Sequence, residues 1–215
     1  MTMMLIDRSS SLNEQIGRVI LTRGEGETGR CRHRSKKCCL ARPVKGTADL
    51  ERLTSTVHDL SESGWYYGCL SRKQSITLLQ SAPIGHFIVR DSSDPRFLFS
   101  ISVQTALGPT SVRIHYSDGR FRLDAEPSLA CSVPNFPSVI SLVEHYVSLG
   151  GPQLCISGSK YSHVLLRKPV YKNCPSLKHL CRLTLNTLLR SSKDVGPLPI
   201  PIILKKYLID YPYTR

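Results

Sequence analysis

The sequence of 215 residues has no long apolar run. No stretch approaches the roughly 18 apolar residues that a membrane-spanning helix needs, so we predict no membrane span. Charged residues also interrupt positions 1–21, which excludes the uninterrupted apolar segment of a secretory signal. We therefore expect a cytoplasmic protein, in which reduced thiols are the default.

The eight cysteines lack the regular spacing of a disulfide framework. The densest set of possible metal ligands is Cys31, His33, Cys38 and Cys39. Adjacent cysteines with no second paired set fit no common zinc spacing. We therefore predict no metal and no cofactor, with a zinc site in this segment as the alternative.

Enzyme motifs are also missing. A phosphotyrosine phosphatase loop has a cysteine followed six positions later by an arginine, and none of the eight cysteines has one. Residues 24–29 match G-x-G-x-x-G, but a run of basic residues follows where a nucleotide site needs an apolar helix or strand. We predict a non-catalytic protein.

The formal net charge is +13, and part of it is concentrated in residues 30–45, which contain no aromatic residue. Segments that bind single-stranded nucleic acid combine basic residues with aromatic side chains on which bases stack. We predict no nucleic-acid partner and interpret residues 1–47 as a basic, disordered tail.

Hydrophobic periodicity changes along the rest of the chain. Leu50, Leu53, Val57 and Leu60 predict a helix over residues 48–63. Ser71 and Ser138 each begin a further predicted helix, the first through a capping box with Gln74. Strands are predicted at 86–90, 97–103, 112–116, 121–123 and 164–166, with a hairpin turn at 117–120 and a loop at 150–159. This order predicts an α+β fold with a central antiparallel sheet flanked by two helices.

Arg90 ends the predicted strand Phe87-Ile-Val-Arg90. An unpaired guanidinium in a sheet is unfavourable, so an anion should meet it. Pairing with Asp91 or Asp94 is the alternative, although Asp91 should point to the opposite face. Arginines and hydroxyls together suit a phosphate dianion. The candidate residues are Arg72, Arg90, Ser92, Ser93, Ser100 and Arg113.

Two patterns mark the C-terminal part. Leu177, Cys181 and Leu185 recur every four residues, so they share one face of a helix that can enter an apolar groove. Leu198-Pro199-Ile200-Pro201 predicts a rigid, extended contact segment before a short helix at 204–209. The alternatives are a helix of the core and a linker.

The Trp65-Tyr-Tyr-Gly68 segment, the capped helix and Phe87-Ile-Val-Arg-Asp-Ser-Ser93 together resemble the signature of Src-homology-2 (SH2) domains. That resemblance implies that Arg90 binds the phosphate of a phosphotyrosine. It implies contacts from Ser92, Ser93 and Ser100, an Arg113 that flanks the ring, and a second phosphate-binding arginine in Arg72.

The C-terminal patterns resemble, in order, an Elongin-binding box and the segment that selects Cullin-5. With the SH2 signature, and with residues 113–124 and 179–183, they resemble the suppressor of cytokine signalling (SOCS) family, in particular the branch of the cytokine-inducible SH2-containing protein. The resemblance implies an extension helix at 48–63, an SH2 domain at 64–172 and a small all-α SOCS box at 173–215.

The implied function is that of an adaptor in cytokine (JAK-STAT) signalling. The SH2 domain would capture tyrosine-phosphorylated cytokine receptors, and the box would recruit Elongin B, Elongin C and a Cullin-5 RING ubiquitin ligase. Two alternatives stay open: a competitor that blocks receptor sites without recruiting a ligase, and a phosphotyrosine-directed enzyme.

Overall fold

The computed structural model describes residues 47–125, 132–157, 160–189 and 192–215. Residues 1–46 lie outside these ranges, and with them the G-x-G-x-x-G match and the Cys31 to Cys39 set of possible metal ligands. Within the described ranges, none of the helices combines the length and the apolar character needed to cross a membrane.

Helix α1 covers Thr47–Ser63, where the leucine spacing predicts a helix. Leu53 and Leu60 are buried, but Leu50 is 48% exposed, so the buried stripe begins one turn later than predicted. The polar residues of the buried face are Thr56, Asp59 and Ser63.

The two predicted helix starts are confirmed by their caps. Helix α2 covers Arg72–Gln80, and the Ser71 hydroxyl accepts a hydrogen bond from the Gln74 N–H while the Gln74 side chain accepts one from the Ser71 N–H. Helix α3 covers Val139–Leu149 and has the same reciprocal cap between Ser138 and Ser141. Each cap satisfies two backbone donors that a helix N-terminus leaves unpaired.

Five strands form the central sheet: β1 (His86–Asp91), β2 (Phe99–Thr105), β3 (Gly108–Ser117), β4 (Arg120–Leu123) and β7 (Lys168–Pro169). Their order in the sheet is β4-β3-β2-β1-β7. Strands β1 to β4 pair antiparallel, as predicted, whereas β7 pairs parallel to β1. Asp118 and Gly119 have φ values of 51° and 73° and form the tight turn predicted between β3 and β4.

The predicted loop at 150–159 is wrong. Strand β5 (Gln153–Ser157) pairs with β6 (Lys160–Val164) in a separate two-stranded antiparallel sheet. The predicted strand at 164–166 is also misplaced, since β6 ends at Val164 and β7 begins at Lys168. The N–H of Ile156 donates to the carbonyl of Asp124 at 3.1 Å, so long-range contacts that sequence spacing does not show stabilise this hairpin.

The two faces of the central sheet differ in chemistry because side chains alternate along each strand. One face is apolar and packs with α1 and α3 into the main core; it carries Phe87, Val89, Phe99, Ile101, Val112, Ile114, Phe121 and Leu123. The other face carries Arg90, Ser100, Ser102 and Arg113, which the strand register brings side by side. Helix α2 reaches this polar face through a 3.4 Å contact between the hydroxyls of Ser75 and Ser102.

The C-terminal part consists of α4 (Leu177–Leu188), a short 3₁₀ turn (Ser192–Val195) and α5 (Ile202–Ile209). Its last residues run back between α4 and α3. The Asn186 side chain donates to the carbonyls of Tyr211 and Tyr213, at 2.7 and 2.8 Å. The Tyr213 hydroxyl bonds the Ser138 hydroxyl at 2.8 Å. The final segment therefore joins the C-terminal helices to the sheet domain.

We expect Leu60→Ala to lower the free energy of unfolding by about 2–4 kcal/mol, since it opens a cavity where α1 meets the core. Leu50→Ala removes the same atoms from the exposed end of the same helix and should change it by no more than about 0.5 kcal/mol. Urea unfolding of the full chain measures both. Equal losses for the two variants would contradict the packing described for α1.

Candidate functional site

Arg90 lies on the polar face of β1 and is only 2% exposed. Its Nε donates to the hydroxyl of Ser102 at 3.1 Å. Its Nη1 donates to the Asp91 carbonyl at 2.8 Å and to the Ser93 hydroxyl at 3.2 Å. The surrounding protein thus fixes the guanidinium in place through neutral acceptors only.

Neither carboxylate proposed as an alternative partner pairs with Arg90. The Asp91 side chain lies on the opposite face, where Tyr66 donates to one oxygen and the Cys69 thiol contacts the other at 3.3 Å. The Asp94 carboxylate bonds Arg96 at 3.0 and 2.9 Å. Among the described residues, no carboxylate forms an ion pair with Arg90, so the pocket contains a buried cation without its counter-charge.

The electrostatic surroundings of Arg90 are those of an anion site. Burial lowers the pKa of the Arg90 guanidinium, and the positive charge of Arg72 lowers it further, against the smaller opposing effect of Asp91. Arg72 is the first residue of α2, so that helix brings a second guanidinium towards the same pocket. An anion that binds here relieves both unfavourable effects.

The other predicted residues lie around the same pocket. The register pairs Arg90 with Ser100 and Ser100 with Arg113, so the three side chains form one row across β1, β2 and β3. Ser93 contacts Arg90, as described above. The Ser92 hydroxyl accepts a hydrogen bond from the N–H of Asp94 at 3.1 Å and shapes the start of the loop after β1. The functional roles assigned to these residues stay predictions.

Ser102 is a pocket residue that sequence reasoning missed. Besides accepting from Arg90, its hydroxyl lies 2.9 Å from that of Ser111 and 3.4 Å from that of Ser75. A signal was available, because Ser102 is two residues after Ser100 on a strand and must share its face. The hydroxyl chain orients Arg90 from β2, β3 and α2 together.

A second missed group anchors the loop after β1, residues 92–98. The Phe97 ring contacts the His115 ring edge-on at 4.7 Å between centroids, and the Arg113 guanidinium lies 5.0 Å from the Phe97 centroid. His115 pairs with Asp124 at 2.8 Å, and Arg113 lies between Asp124, at 3.8 Å, and Asp94, at 3.7 Å. This anchoring sets the position of the loop at the pocket rim.

Helix α4 has its apolar stripe on the outside. Leu177 is 77% exposed, Leu185 is 41% exposed, and Cys181 is also exposed. Leu180 and Leu188 extend the stripe. The opposite, buried face carries His179, Arg182, Leu183 and Asn186. An amphipathic helix normally buries its apolar stripe, so this inverted orientation indicates a surface that binds a partner.

The predicted contact segment 198–201 precedes α5. Leu198 and Ile200 are half-buried, while Pro199 and Pro201 are exposed. The N–H of Ile200 donates to the carbonyl of Leu198 at 2.9 Å, and Pro201 stands at the start of α5. The segment continues into three exposed apolar residues, Ile202, Ile203 and Leu204.

The part of the chain that the structure describes contains no group of three or more His, Cys, Asp or Glu residues placed to hold a metal ion. The cysteine and histidine set at residues 31–39 lies outside it.

Comparison with known families matches two regions of the chain. Residues 65–146 match the SH2 domain, and residues 173–209 match the SOCS box. The first match contains the Arg90 pocket, and the second contains the exposed stripe of α4 and the segment 198–201.

Curated relatives are similar over most of the chain. Suppressor of cytokine signaling 2 of Bos taurus is 40% identical over 167 residues, which cover 75% of this chain and 82% of that protein. Cytokine-inducible SH2-containing protein of Gallus gallus is 37% identical over 188 residues, covering 77% of this chain and 72% of that protein. Among solved structures, the SH2 domain of a Monosiga brevicollis CRK/CRKL homolog is 22% identical, with a TM-score of 0.37, over 51% of this chain and 88% of that one.

We expect Arg90→Met to raise the free energy of unfolding of the unliganded chain by about 1 kcal/mol, because it removes a buried charge with which no carboxylate in the described ranges pairs. Arg182→Met is the matched control. Arg182 is 3% exposed but bonds Glu62 at 3.1 Å and stacks on Tyr207, so its loss should cost about 1–2 kcal/mol. Thermal unfolding without ligand measures both variants, and a comparable loss for Arg90→Met would show that Arg90 is already satisfied.

Proposed function

The chain belongs to the suppressor of cytokine signalling family, and from that premise we propose that it is a phosphotyrosine-binding adaptor that suppresses cytokine signalling. In this proposal residues 48–63 are an extension helix, residues 64–172 the SH2 domain and residues 173–215 the SOCS box. The protein acts in the cytoplasm, where the phosphorylated tails of cytokine receptors and the ligase subunits are found.

One observation carries the phosphotyrosine-binding proposal: Arg90 is buried, is held in position by three neutral acceptors, and pairs with no carboxylate among the described residues. A phosphate monoester supplies the missing charge and offers several oxygens to a guanidinium fork. We assign phosphate contacts to Arg90, Arg72, Ser92, Ser93 and Ser100. Arg113, at the end of the same row, contacts the tyrosine ring.

The captured partner is a tyrosine-phosphorylated cytokine receptor. The names of the relatives describe a suppressor of cytokine signalling and a cytokine-inducible SH2 protein, which supports this assignment. Occupying the receptor phosphotyrosine also prevents other SH2 proteins from docking there, so part of the suppression requires no ligase. A competitor of this kind, without ligase recruitment, is the alternative function.

The exposed stripe of α4 supports recruitment of a ubiquitin ligase. Leu177, Cys181 and Leu185 present a continuous apolar face, which we assign to binding Elongin C within the Elongin B and C pair. The segment Leu198-Pro199-Ile200-Pro201 is assigned to Cullin-5. The adaptor thereby serves as the substrate-recognition subunit of a cullin-RING ligase.

We propose no catalytic activity for the chain itself. A nucleophilic cysteine needs a lowered thiol pKa. Burial, with a contribution from the charge of Asp124, instead raises the pKa of Cys155 to about 12. Cys181 lies on the stripe assigned to Elongin binding.

We expect Arg90→Lys to weaken binding of a phosphotyrosine peptide by about 10- to 100-fold, because lysine keeps the charge but lacks the planar fork. Isothermal titration calorimetry of the full chain, with a peptide selected from a phosphotyrosine library and its unphosphorylated twin, measures the effect. Arg120→Lys makes the same change at an exposed position of β4 and should leave affinity unchanged. Equal binding of the two peptides by the native chain would rule out phosphotyrosine binding.

We expect Leu177→Ala combined with Cys181→Ala to abolish co-purification of the chain with co-expressed Elongins B and C, because it removes two contacts of the apolar face. Leu107→Ala combined with Cys174→Ala is the matched control, since both residues are exposed but lie off the α4 stripe. Phosphopeptide binding should survive both double substitutions. If Elongins never co-purify with the native chain, the competitor alternative is favoured.

A further inference from the structure

The rim of the Arg90 pocket contains a carboxylate that the binding proposal does not use. Asp94 lies in the loop after β1, two residues beyond Ser92, and its side chain is 24% exposed. One carboxylate oxygen lies 3.7 Å from Nε of Arg113, which is the residue at the end of the Arg90–Ser100–Arg113 row. A negative charge of this chain therefore already contacts one of the guanidinium groups assigned to the phosphotyrosine.

We propose that Asp94 is an affinity-limiting residue. Its carboxylate contacts Arg113 where the ligand would bind, and this contact must break before the phosphotyrosine can contact the Arg113 guanidinium. This inference rests on the proposed phosphotyrosine-binding function. It assigns to Asp94 the role of an internal competitor, so that the native chain binds phosphotyrosine less tightly than its own pocket allows.

The Asp94 carboxylate also contacts a second arginine, Arg96. Arg96 holds Asp94 from the solvent side through Nε at 3.0 Å and Nη2 at 2.9 Å, and the Arg96 backbone N–H donates to the same side chain at 3.2 Å. These distances are shorter than the 3.7 Å to Arg113, so the contact with Arg113 is the weaker of the two. Asp94 can thus release Arg113 and remain paired with Arg96.

The negative charge of Asp94 explains why its place at the pocket rim affects the affinity for a phosphopeptide. The hydrogen bonds and charge of Arg96, together with the charge of Arg113, outweigh partial burial and hold the pKa of Asp94 below its usual range, so the side chain is ionised at neutral pH. A phosphate dianion that enters the pocket meets this like charge at the rim. Charges at the rim of an interface act mainly on the association rate and on the salt dependence of binding.

The test compares Asp94→Asn with Asp118→Asn in the full chain. Asparagine keeps an acceptor oxygen for the Arg96 N–H, so the loop retains that bond. Asp118 is exposed at the β3–β4 turn and has a φ of 51°, which asparagine also tolerates, so the control makes the same charge change away from the pocket. The probe is the library-selected phosphotyrosine peptide with its unphosphorylated twin, titrated by calorimetry at low and high salt.

We expect Asp94→Asn to tighten phosphopeptide binding by about three- to tenfold at low salt, with a smaller gain at high salt, and Asp118→Asn to leave affinity within about 1.5-fold. Arg96→Gln should weaken binding in the native chain, because it frees the carboxylate for Arg113, but should have no effect in the Asp94→Asn background.

Equal phosphopeptide affinities for Asp94→Asn and Asp118→Asn, or a lower affinity for Asp94→Asn, would show that Asp94 does not limit affinity. Phosphotyrosine binding by the native chain would still stand. If the native chain and every variant bind both peptides alike, the proposed function fails, and the role of Asp94 with it. The behaviour of the native chain therefore separates the two failures.

Discussion

The organisation of the sheet domain depends on the buried positive charge of Arg90, which forms no ion pair within the part of the chain that the structure describes. Arg90 lies at the β1 end of the row that it forms with Ser100 and Arg113, and a slip of one residue in the register would move it to the apolar face. On the face that carries Arg90, the hydroxyls of Ser75 and Ser111 both contact that of Ser102. The apolar side chains of the main core lie on the opposite face, against α1 and α3. This division explains how so small a sheet supports both a core and a polar pocket.

The second buried arginine shows what the protein does when an arginine is structural. Arg182 of α4 donates to Glu62 of α1 and lies 4.0 Å and 4.5 Å from the ring centroids of Tyr207 and Tyr211. Stacking on aromatic rings and pairing with a carboxylate offset the cost of burying a guanidinium, although the Nε of Arg182 has no hydrogen-bond partner among the described residues. Together with the side chain of Asn186, it turns the polar face of α4 inwards and the leucine stripe outwards. The two buried arginines therefore differ in their ion pairing: Arg182 pairs with Glu62, whereas Arg90 has no carboxylate partner among the described residues.

Much of this could be predicted from local sequence. The caps at Ser71 and Ser138, the turn at Asp118-Gly119 and the strand that ends near Arg90 follow from rules that act over a few residues, and all are present. The hairpin β5–β6 could not be predicted, because its pairing and its bond to Asp124 depend on distant parts of the chain. Strand periodicity also predicts the common face of Arg90, Ser100 and Arg113, whereas Ser102 was missed, and the binding roles of these residues stay predictions. The pairing of Arg182 with Glu62, 120 positions away, has no local signal at all.

The outward-facing leucines also have a consequence for the lifetime of the protein. A stripe of this kind, continued by Ile202 and Ile203, has the same chemistry that chaperones and proteases recognise in incompletely folded chains. Whatever covers the stripe removes that signal and, by mass action, stabilises the folded state. The cellular amount of the protein should therefore follow the supply of its partner, so that copies made in excess of that partner are short-lived and the adaptor is present mainly as part of an assembly.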